Sequence, residues 1–77
     1  MTFDFDRWKM FLLIADHGSL SKAAVIADRP QPAISKQINA LEQECSTRLF
    51  YRTGRGMVLS ETGETILPRV RALVQES

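Results

Sequence analysis

The sequence is poor in the residues that cross-link a fold, bind metal or interrupt regular structure. Its 77 residues include one cysteine, one histidine, three prolines and four glycines. An internal disulfide and a closed zinc site of four Cys and His ligands are therefore excluded, and we expect no metal and no cofactor. Because 44% of the residues are hydrophobic, the chain has the composition of one folded domain. It is too short for most catalytic folds, so we expect no enzyme.

Long hydrophobic runs are also missing. No stretch approaches the roughly 20 apolar residues that a membrane-spanning helix needs. Asp4 and Asp6 precede the first apolar segment, where a signal peptide carries basic residues. We therefore expect a cytoplasmic protein with no membrane partner.

The net charge is small, but the positive charge is unevenly distributed along the chain. The formal net charge is only +1. Residues 29–55 carry five basic and two acidic side chains, whereas residues 1–28 and 56–77 each carry one more acidic than basic side chain. The basic middle segment is either a solvated face or a surface that binds an anionic partner, and charge alone leaves both open.

The first two helices follow from apolar spacing and capping residues. Four residues of the first segment fall at helical spacing: Trp8, Phe11, Leu12 and Ala15. This pattern predicts a helix that begins at Asp4 or Asp6 and ends at Gly18. Ser19 or Ser21 can cap a short second helix, after which Pro30 predicts a turn over residues 28–31.

A third helix is predicted over residues 31–45, with Pro32 in its first turn. Its apolar stripe consists of Ile34, Ile38, Leu41 and Cys45. The place of Cys45 on this stripe predicts a buried, unreactive thiol. The N-terminal half of the helix carries polar or small residues away from the stripe: Gln31, Pro32, Ser35, Lys36 and Asn39. That face is free to bind a partner.

Beyond the third helix the pattern changes to two short β-prone runs around Thr-Gly-Arg-Gly at residues 53–56. A hairpin between Leu49 and Leu59 is predicted, with Arg55 at its tip. Ser60 can cap a last helix, in which Pro68 predicts a bend or an irregular turn near Glu64.

These elements predict a mainly α fold of the winged helix-turn-helix class, with a three-helix core, a small β-hairpin wing and a last helix. Residues 1–59 would form the DNA-binding domain, and residues 60–77 the last helix. Helix 31–45 has the size and the short polar groups that reading a major groove requires, and wing 51–57 would lie at the minor groove or backbone. The predicted partner is double-stranded DNA.

Two other classes of function compete with this interpretation. In a helical protein–protein interaction module, the basic hairpin would be a solvated turn. The second competing class is a metal- or ligand-sensing winged helix of a regulator. Catalysis ranks last, because His17 precedes a turn with nothing to make it a base.

Several separated motifs closely resemble the N-terminal DNA-binding domain of LysR-type transcriptional regulators. They are Gly-Ser-Leu-Ser-Lys-Ala-Ala at residues 18–24, Gln-Pro-Ala-Ile-Ser-Lys-Gln-Ile at 31–38, Leu41-Glu42, Leu-Phe-Tyr-Arg at 49–52 and Ser-Glu-Thr-Gly at 60–63. The resemblance covers nearly the whole chain. Its run Gln-Pro-Ala-Ile-Ser at residues 31–35 disfavours a metal- or ligand-sensing winged helix of a different regulator family. It implies sequence-specific DNA binding as the operator-reading domain of such a regulator.

The resemblance and the predicted fold together assign site residues. Base contacts are expected from Gln31, Pro32, Ser35 and Lys36. Phosphate and backbone contacts are expected from Ser19, Ser21, Lys22, Arg29, Asn39 and Arg52. Arg55 would enter the minor groove. Dimerisation is expected to use an unsatisfied stripe of Ile66, Val70, Leu73 and Val74.

The resemblance further implies a bacterial regulator that binds an interrupted palindromic operator as a homodimer, or as a tetramer at full length. Residues 60–77 would begin a C-terminal linker or dimerisation helix, and an effector-binding domain would follow it. A small-molecule effector would bind only in that domain. The chain departs from the usual family pattern at three positions. Pro30 replaces Ser or Thr, and so removes a cap worth about 1 kcal/mol. Arg29 replaces an apolar residue, and Ser46 replaces Gly.

Overall fold

Four helices and one antiparallel hairpin make up the computed structural model, which describes residues 3–75. The elements in chain order are α1 (Phe5–His17), α2 (Leu20–Ala27), α3 (Gln31–Cys45), β1 (Phe50–Thr53), β2 (Gly56–Leu59) and α4 (Glu61–Gln75). The predicted winged helix-turn-helix architecture is confirmed. Residues 76 and 77, which the prediction included in the last helix, lie outside the described residues.

Side-chain caps fix the starts of α1 and α2. The Asp4 carboxylate accepts a hydrogen bond from the Arg7 backbone N–H at 3.1 Å, and the Ser19 hydroxyl accepts one from the Lys22 N–H at 3.1 Å. Each satisfies an amide that has no partner inside its helix. Gly18 ends α1 with a φ of 62°, a left-handed conformation that glycine adopts without steric cost. The predicted boundaries are confirmed, and the caps are Asp4 and Ser19.

Helix α3 begins without a side-chain cap. Pro30 stands at the cap position, and only its carbonyl contributes, by accepting hydrogen bonds from the Ala33 and Ile34 amides. Pro32 lies in the first turn, as predicted, where its missing N–H leaves no broken hydrogen bond. The helix ends at Cys45, and the next residue, Ser46, takes a left-handed φ of 55° at the position where glycine is the usual residue.

One hydrophobic core joins α1, α2, α3, the first strand and α4. Its buried residues are Met10, Phe11, Leu12, Ile14, Leu20, Ala23, Ala24, Ile34, Ile38, Leu41, Leu49, Phe50 and Val70. Phe11 and Phe50 are fully buried, with ring centroids 5.2 Å apart, whereas Trp8 is only partly buried at the edge of the core. The three-helix core therefore holds the hairpin through Leu49 and Phe50.

The prediction of a buried thiol at Cys45 is wrong, because this side chain is exposed. The buried stripe of α3 ends at Leu41, and the last turn of the helix extends past the core. Partial desolvation and the nearby carboxylates of Glu44 and Glu42 raise the pKa of the thiol. Cys45 is thus protonated and weakly nucleophilic at neutral pH, although it is not buried.

The irregular turn predicted near Glu64 is also wrong, because α4 runs without interruption from Glu61 to Gln75. Pro68 cannot donate a hydrogen bond to the carbonyl of Glu64. Both residues lie on the exposed side of α4, where solvent can satisfy that carbonyl. Ser60 caps this helix as predicted, since its hydroxyl accepts a hydrogen bond from the Gly63 amide at 3.0 Å.

Candidate nucleic-acid interface

The N-terminal end of α2, the polar face of α3 and the hairpin form one continuous surface. Two shallow grooves and a smaller pocket connect these elements. They bring together eight of the residues predicted to contact DNA: Ser19, Ser21, Gln31, Pro32, Ser35, Lys36, Asn39 and Arg52. We call this set the α3–wing face. Residues far apart in the sequence thus share one surface that a long polyanion could contact at several points.

A direct hydrogen bond docks the wing onto the turn between α1 and α2. The Met57 backbone N–H donates to the Gly18 carbonyl at 3.0 Å. Gly56 lies so close to this carbonyl that a Cβ atom would clash with it, and its φ of 114° favours glycine. The wing is therefore held beside the start of α2.

The loop that carries Arg55 is ordered by its own side chain and backbone. The Thr53 hydroxyl accepts a hydrogen bond from the Arg55 N–H at 3.1 Å and donates to the Gly56 carbonyl at 3.3 Å. Thr53 pairs with Gly56, so that Gly54 and Arg55 form a two-residue loop. The exposed Arg55 side chain stands at the tip of this loop, outside the grooves of the α3–wing face.

Glu42 fixes the start of β1 relative to α3, and reasoning from the residues alone assigned it no role. Its carboxylate accepts hydrogen bonds from the Leu49 and Phe50 amides at 2.7 and 3.2 Å, and it lies 3.4 Å from the guanidinium of Arg48. The only signal in the sequence was its place in the Leu-Glu pair of the family resemblance. This carboxylate fixes the distance between α3 and the wing.

Cations of the basic middle segment divide into paired and unpaired groups. Arg29 and Arg48 form ion pairs with Asp6 and Glu42. Within the described residues 3–75, the other three cations of this segment have no hydrogen-bond or ion-pair partner for their side chains: Lys36, Arg52 and Arg55. Lys22 on α2, outside the segment, has none among these residues either. All four lie on or beside the α3–wing face. Its positive charge is therefore not neutralised within the domain.

Arg29 lines none of the grooves of the α3–wing face, and its expected phosphate contact stays a prediction. Two of its nitrogens donate to the Asp6 carboxylate at 2.6 and 2.8 Å, and one of them also donates to the Gln37 side-chain carbonyl at 3.0 Å. Hydrogen bonds from Arg29 and Gln37 lower the pKa of Asp6 to about 2. Lys22 lies at the edge of the face, where it lines a separate groove with His17, Val25 and Ile26.

The predicted dimerisation stripe of α4 is only partly available. Val70 is 5% exposed and packs into the core of its own domain, so the expectation that it is unsatisfied is wrong. Ile66 and Val74 are half-buried against the same core, whereas Leu73 is 52% exposed. Ile66, Val70 and Leu73 also line an apolar groove with Trp8 and Phe3.

Neither a metal site nor a membrane span is found in the described part of the chain. No group of three or more His, Cys, Asp or Glu side chains between residues 3 and 75 could hold a metal ion. No helix in this range is both long enough and apolar enough to cross a membrane.

The fold and the α3–wing face define a winged helix-turn-helix domain. Residues 5–64 match the family described as "Bacterial regulatory helix-turn-helix protein, lysR family". This chain belongs to the lysR family, and it is the DNA-binding domain of a LysR-type regulator. The family resemblance seen in the sequence motifs is thereby confirmed.

Curated relatives are transcriptional regulators from several bacteria. The chain is 48% identical over 59 residues to an uncharacterised HTH-type transcriptional regulator in the ibpB-leuC intergenic region of Azotobacter vinelandii. It is 37% identical over 73 residues to the nitrogen assimilation regulatory protein nac of Escherichia coli K12. These matches cover 77% and 95% of this chain, but only 41% and 24% of the relatives. The chain therefore spans less than half the length of either relative.

Solved structures share the fold closely. The DNA complex of the CbnR DNA-binding domain matches with a TM-score of 0.89 and 30% identity, over 95% of this chain and 84% of that one. CbnR, a LysR family transcriptional regulator, matches with a TM-score of 0.90 and 30% identity, over 95% of this chain and 25% of that one. The BenM DNA-binding domain on catB site 1 DNA has a TM-score of 0.91 at 24% identity, a similarity that shows the fold alone.

Proposed function

We propose that this domain reads an operator by placing α3 in the major groove of double-stranded DNA. The observation that carries the proposal is the α3–wing face, where short polar groups and unneutralised cations from three elements form one surface. A major groove admits one α-helix, and its base edges are read by hydrogen-bonding side chains near the helix N-terminus. Helix α3 offers such side chains in its first three turns.

Base reading is assigned to Gln31, Ser35 and Lys36, with Pro32 in contact beside them. These residues line one groove along the polar side of α3, opposite to the buried Ile34 and Ile38. An amide, a hydroxyl and an ammonium group supply the donors and acceptors that distinguish base pairs. Because the helix packs on the core through its other side, reading bases leaves the fold unchanged.

Phosphate and backbone contacts are assigned to the residues around this groove. Ser19, Ser21 and Arg52 line the groove between α2 and the wing, and Asn39 continues the face along α3. Lys22 lies at the edge, where it can reach an adjacent phosphate. Such contacts fix the register of the domain on the duplex without reading sequence.

Arg55 is assigned to the minor groove. A guanidinium at the tip of an ordered two-residue loop can enter a narrow groove, where the negative potential is strongest. The docking of Met57 on the Gly18 carbonyl holds the wing at a fixed distance from α2. Helix α3 and the wing would then contact neighbouring grooves of the same duplex.

A second copy of the chain is the proposed partner through α4. The exposed Leu73 and the apolar groove beside it offer a surface that pairing of two α4 helices would bury. Two domains related by a twofold axis would bind an interrupted palindrome, and the combined contacts would compensate for a net charge of only +1. The cytoplasm is the proposed location, with any effector bound by a further domain of the whole regulator.

Selection from random duplex DNA tests the proposal. The 77-residue chain should enrich one sequence motif, and a dyad in that motif would report the dimer. Binding of the selected duplex should exceed binding of a scrambled duplex by at least about 1000-fold in near-physiological salt. A Lys9→Ala variant serves as a control, because Lys9 lies on α1 outside the α3–wing face. Equal binding of selected and scrambled duplexes would contradict operator reading.

A further inference from the structure

Three residues from separate parts of the chain form a closed hydrogen-bonded network beside the start of α3. Asp6 lies in the first turn of α1, Arg29 in the turn between α2 and α3, and Gln37 in the second turn of α3. Arg29 binds both oxygens of the Asp6 carboxylate and also donates to Gln37. The Gln37 amide donates to Asp6 at 2.7 Å, which closes the ring. We call this set the α1–α3 clamp.

The clamp stands where α3 lacks another device to fix its start. Helices α1, α2 and α4 each begin with a side-chain cap, from Asp4, Ser19 and Ser60. At α3 the corresponding residue is Pro30, which offers no side-chain acceptor. The residue just before it, Arg29, instead connects the incoming chain to both α1 and α3.

The chemistry of the clamp suits positioning better than phosphate binding. The pairing of Arg29 with Asp6 is bidentate, and this geometry fixes the orientation of the planar guanidinium. The hydrogen bonds from Arg29 and Gln37 lower the pKa of Asp6 to about 2, so the carboxylate is charged throughout the neutral range. A phosphate contact by Arg29 would compete with its hydrogen bonds to the Asp6 carboxylate, which is part of the same chain.

We propose that Arg29 is a positioning residue, which acts through Asp6 and Gln37 to hold α3 in the orientation that reads the operator. This inference rests on the proposed function. If α3 is already held in its binding orientation, it requires no reordering when DNA binds. Because base reading depends on this orientation, the clamp supports specific binding more than non-specific binding. Arg29 would itself contact neither bases nor phosphates.

Three single variants and one double variant of the 77-residue chain test the clamp: Asp6→Asn, Arg29→Gln, Arg29→Lys and Asp6→Asn/Arg29→Gln. Binding to the selected and scrambled duplexes is measured as a function of salt. We expect each single variant to lower affinity for the selected duplex by up to about fivefold, which is the limit set by one exposed ion pair. The double variant should bind no more weakly than Arg29→Gln, and salt slopes should stay unchanged.

The control is Asp16→Asn, which removes the same charge from α1 and breaks a similar exposed pair with Arg71 at 2.8 Å. Thermal unfolding verifies that every variant is folded. The proposal is overturned if Asp6→Asn binds the selected duplex with the same affinity as Asp16→Asn. It is also overturned if Arg29→Lys binds like the parent while Arg29→Gln reduces the salt slope by about one, as loss of a phosphate contact would. A selection that enriches no motif would instead contradict the proposed function itself.

Discussion

At the scale of single residues, α3 separates the side chains proposed to read DNA from the side chains that pack in the core. Ser35 and Lys36 lie on the polar side of α3, while the adjacent Ile34 is fully buried. One helix therefore serves both purposes through opposite faces. This separation makes residue-level predictions testable, since changes on the polar face leave the core intact.

Replacing Ser35 or Lys36 by alanine should weaken binding of the selected duplex by about tenfold each, because each change removes a base contact. The unfolding temperature should stay within about 2 °C of the parent, since neither side chain belongs to the core. A mobility-shift titration measures the first quantity and circular dichroism the second. Unchanged affinity in both variants would remove these residues from the base-reading set.

Arg55→Ala should reduce the dependence of binding on salt, because one cation would no longer displace counterions from the DNA. The slope of log K against log salt should fall in magnitude by about one. Fluorescence anisotropy between 50 and 200 mM salt measures it, with Lys9→Ala as the comparison. The same slope in Arg55→Ala and the parent would place the wing away from the DNA.

At the scale of secondary-structure elements, the wing depends on hydrogen bonds to acceptors that lie outside its own two strands. Glu42 accepts the amides of Leu49 and Phe50, and Gly18 accepts the amide of Met57. A two-stranded hairpin is marginally stable by itself. Its geometry is therefore determined by α3 on one side and by the α1–α2 turn on the other.

Glu42→Ala should destabilise the domain by about 1–3 kcal/mol, because two amides at the start of β1 lose their acceptor. Urea unfolding gives the free energy, and Glu61→Ala, on the exposed first turn of α4, is the control. Operator affinity should also fall, since the wing would lose its fixed distance from α3. A stability equal to that of the parent would show that water replaces the carboxylate without cost.

Gly63→Ala should destabilise the domain even though alanine is the better helix former by about 1 kcal/mol. A Cβ atom at this position would clash with the Leu49 carbonyl and would lie 2.9 Å from a methyl group of Leu59. The hairpin would have to shift away from α4. Gly54→Ala is the matched control, since a Cβ there meets no atom within 4 Å. Greater stability in Gly63→Ala would contradict this packing.

At the scale of the whole molecule, exposed ion pairs connect α1 to the other helices. Asp6 pairs with Arg29 near α3, and Asp16 pairs with Arg71 on α4. These partners lower the pKa of both carboxyl groups, that of Asp6 to about 2. Because both pairs are solvent-exposed, each contributes modestly to stability.

The domain should lose stability in acid as these pairs break. A carboxyl group with a lowered pKa in the folded state stabilises the fold fully above its unfolded pKa of 3.8 and progressively less as the pH falls towards 2. Between pH 5 and 7 the titration of Asp6 should not change the unfolding temperature. At pH values below about 4, the unfolding temperature should decrease. Asp6→Asn should reduce this acid dependence, and an equally steep decline in that variant would exclude Asp6 as a contributor.

Much of the fold and of the candidate site could be predicted because the relevant signals are local. Asp4 and Ser19 cap helices by bonding to amides three residues away, and Ile34, Ile38 and Leu41 mark a buried stripe by spacing alone. The exposure of Cys45 and the burial of Val70 could not be predicted this way. Helical spacing predicts on which side of a helix a residue lies. It does not predict how far along the helix a neighbouring element covers that side.

The sequence by itself determined the order of the elements, their boundaries and the polar side of α3, because capping, proline and apolar periodicity act over a few residues. Only the tertiary structure decided which cations are free to bind an anion. Arg29 and Lys36 both belong to the same basic segment, yet the fold brings Asp6 against Arg29 and leaves Lys36 without a partner among residues 3–75. Ion pairing depends on distances between residues remote in sequence, which the packing of α1 against α3 creates.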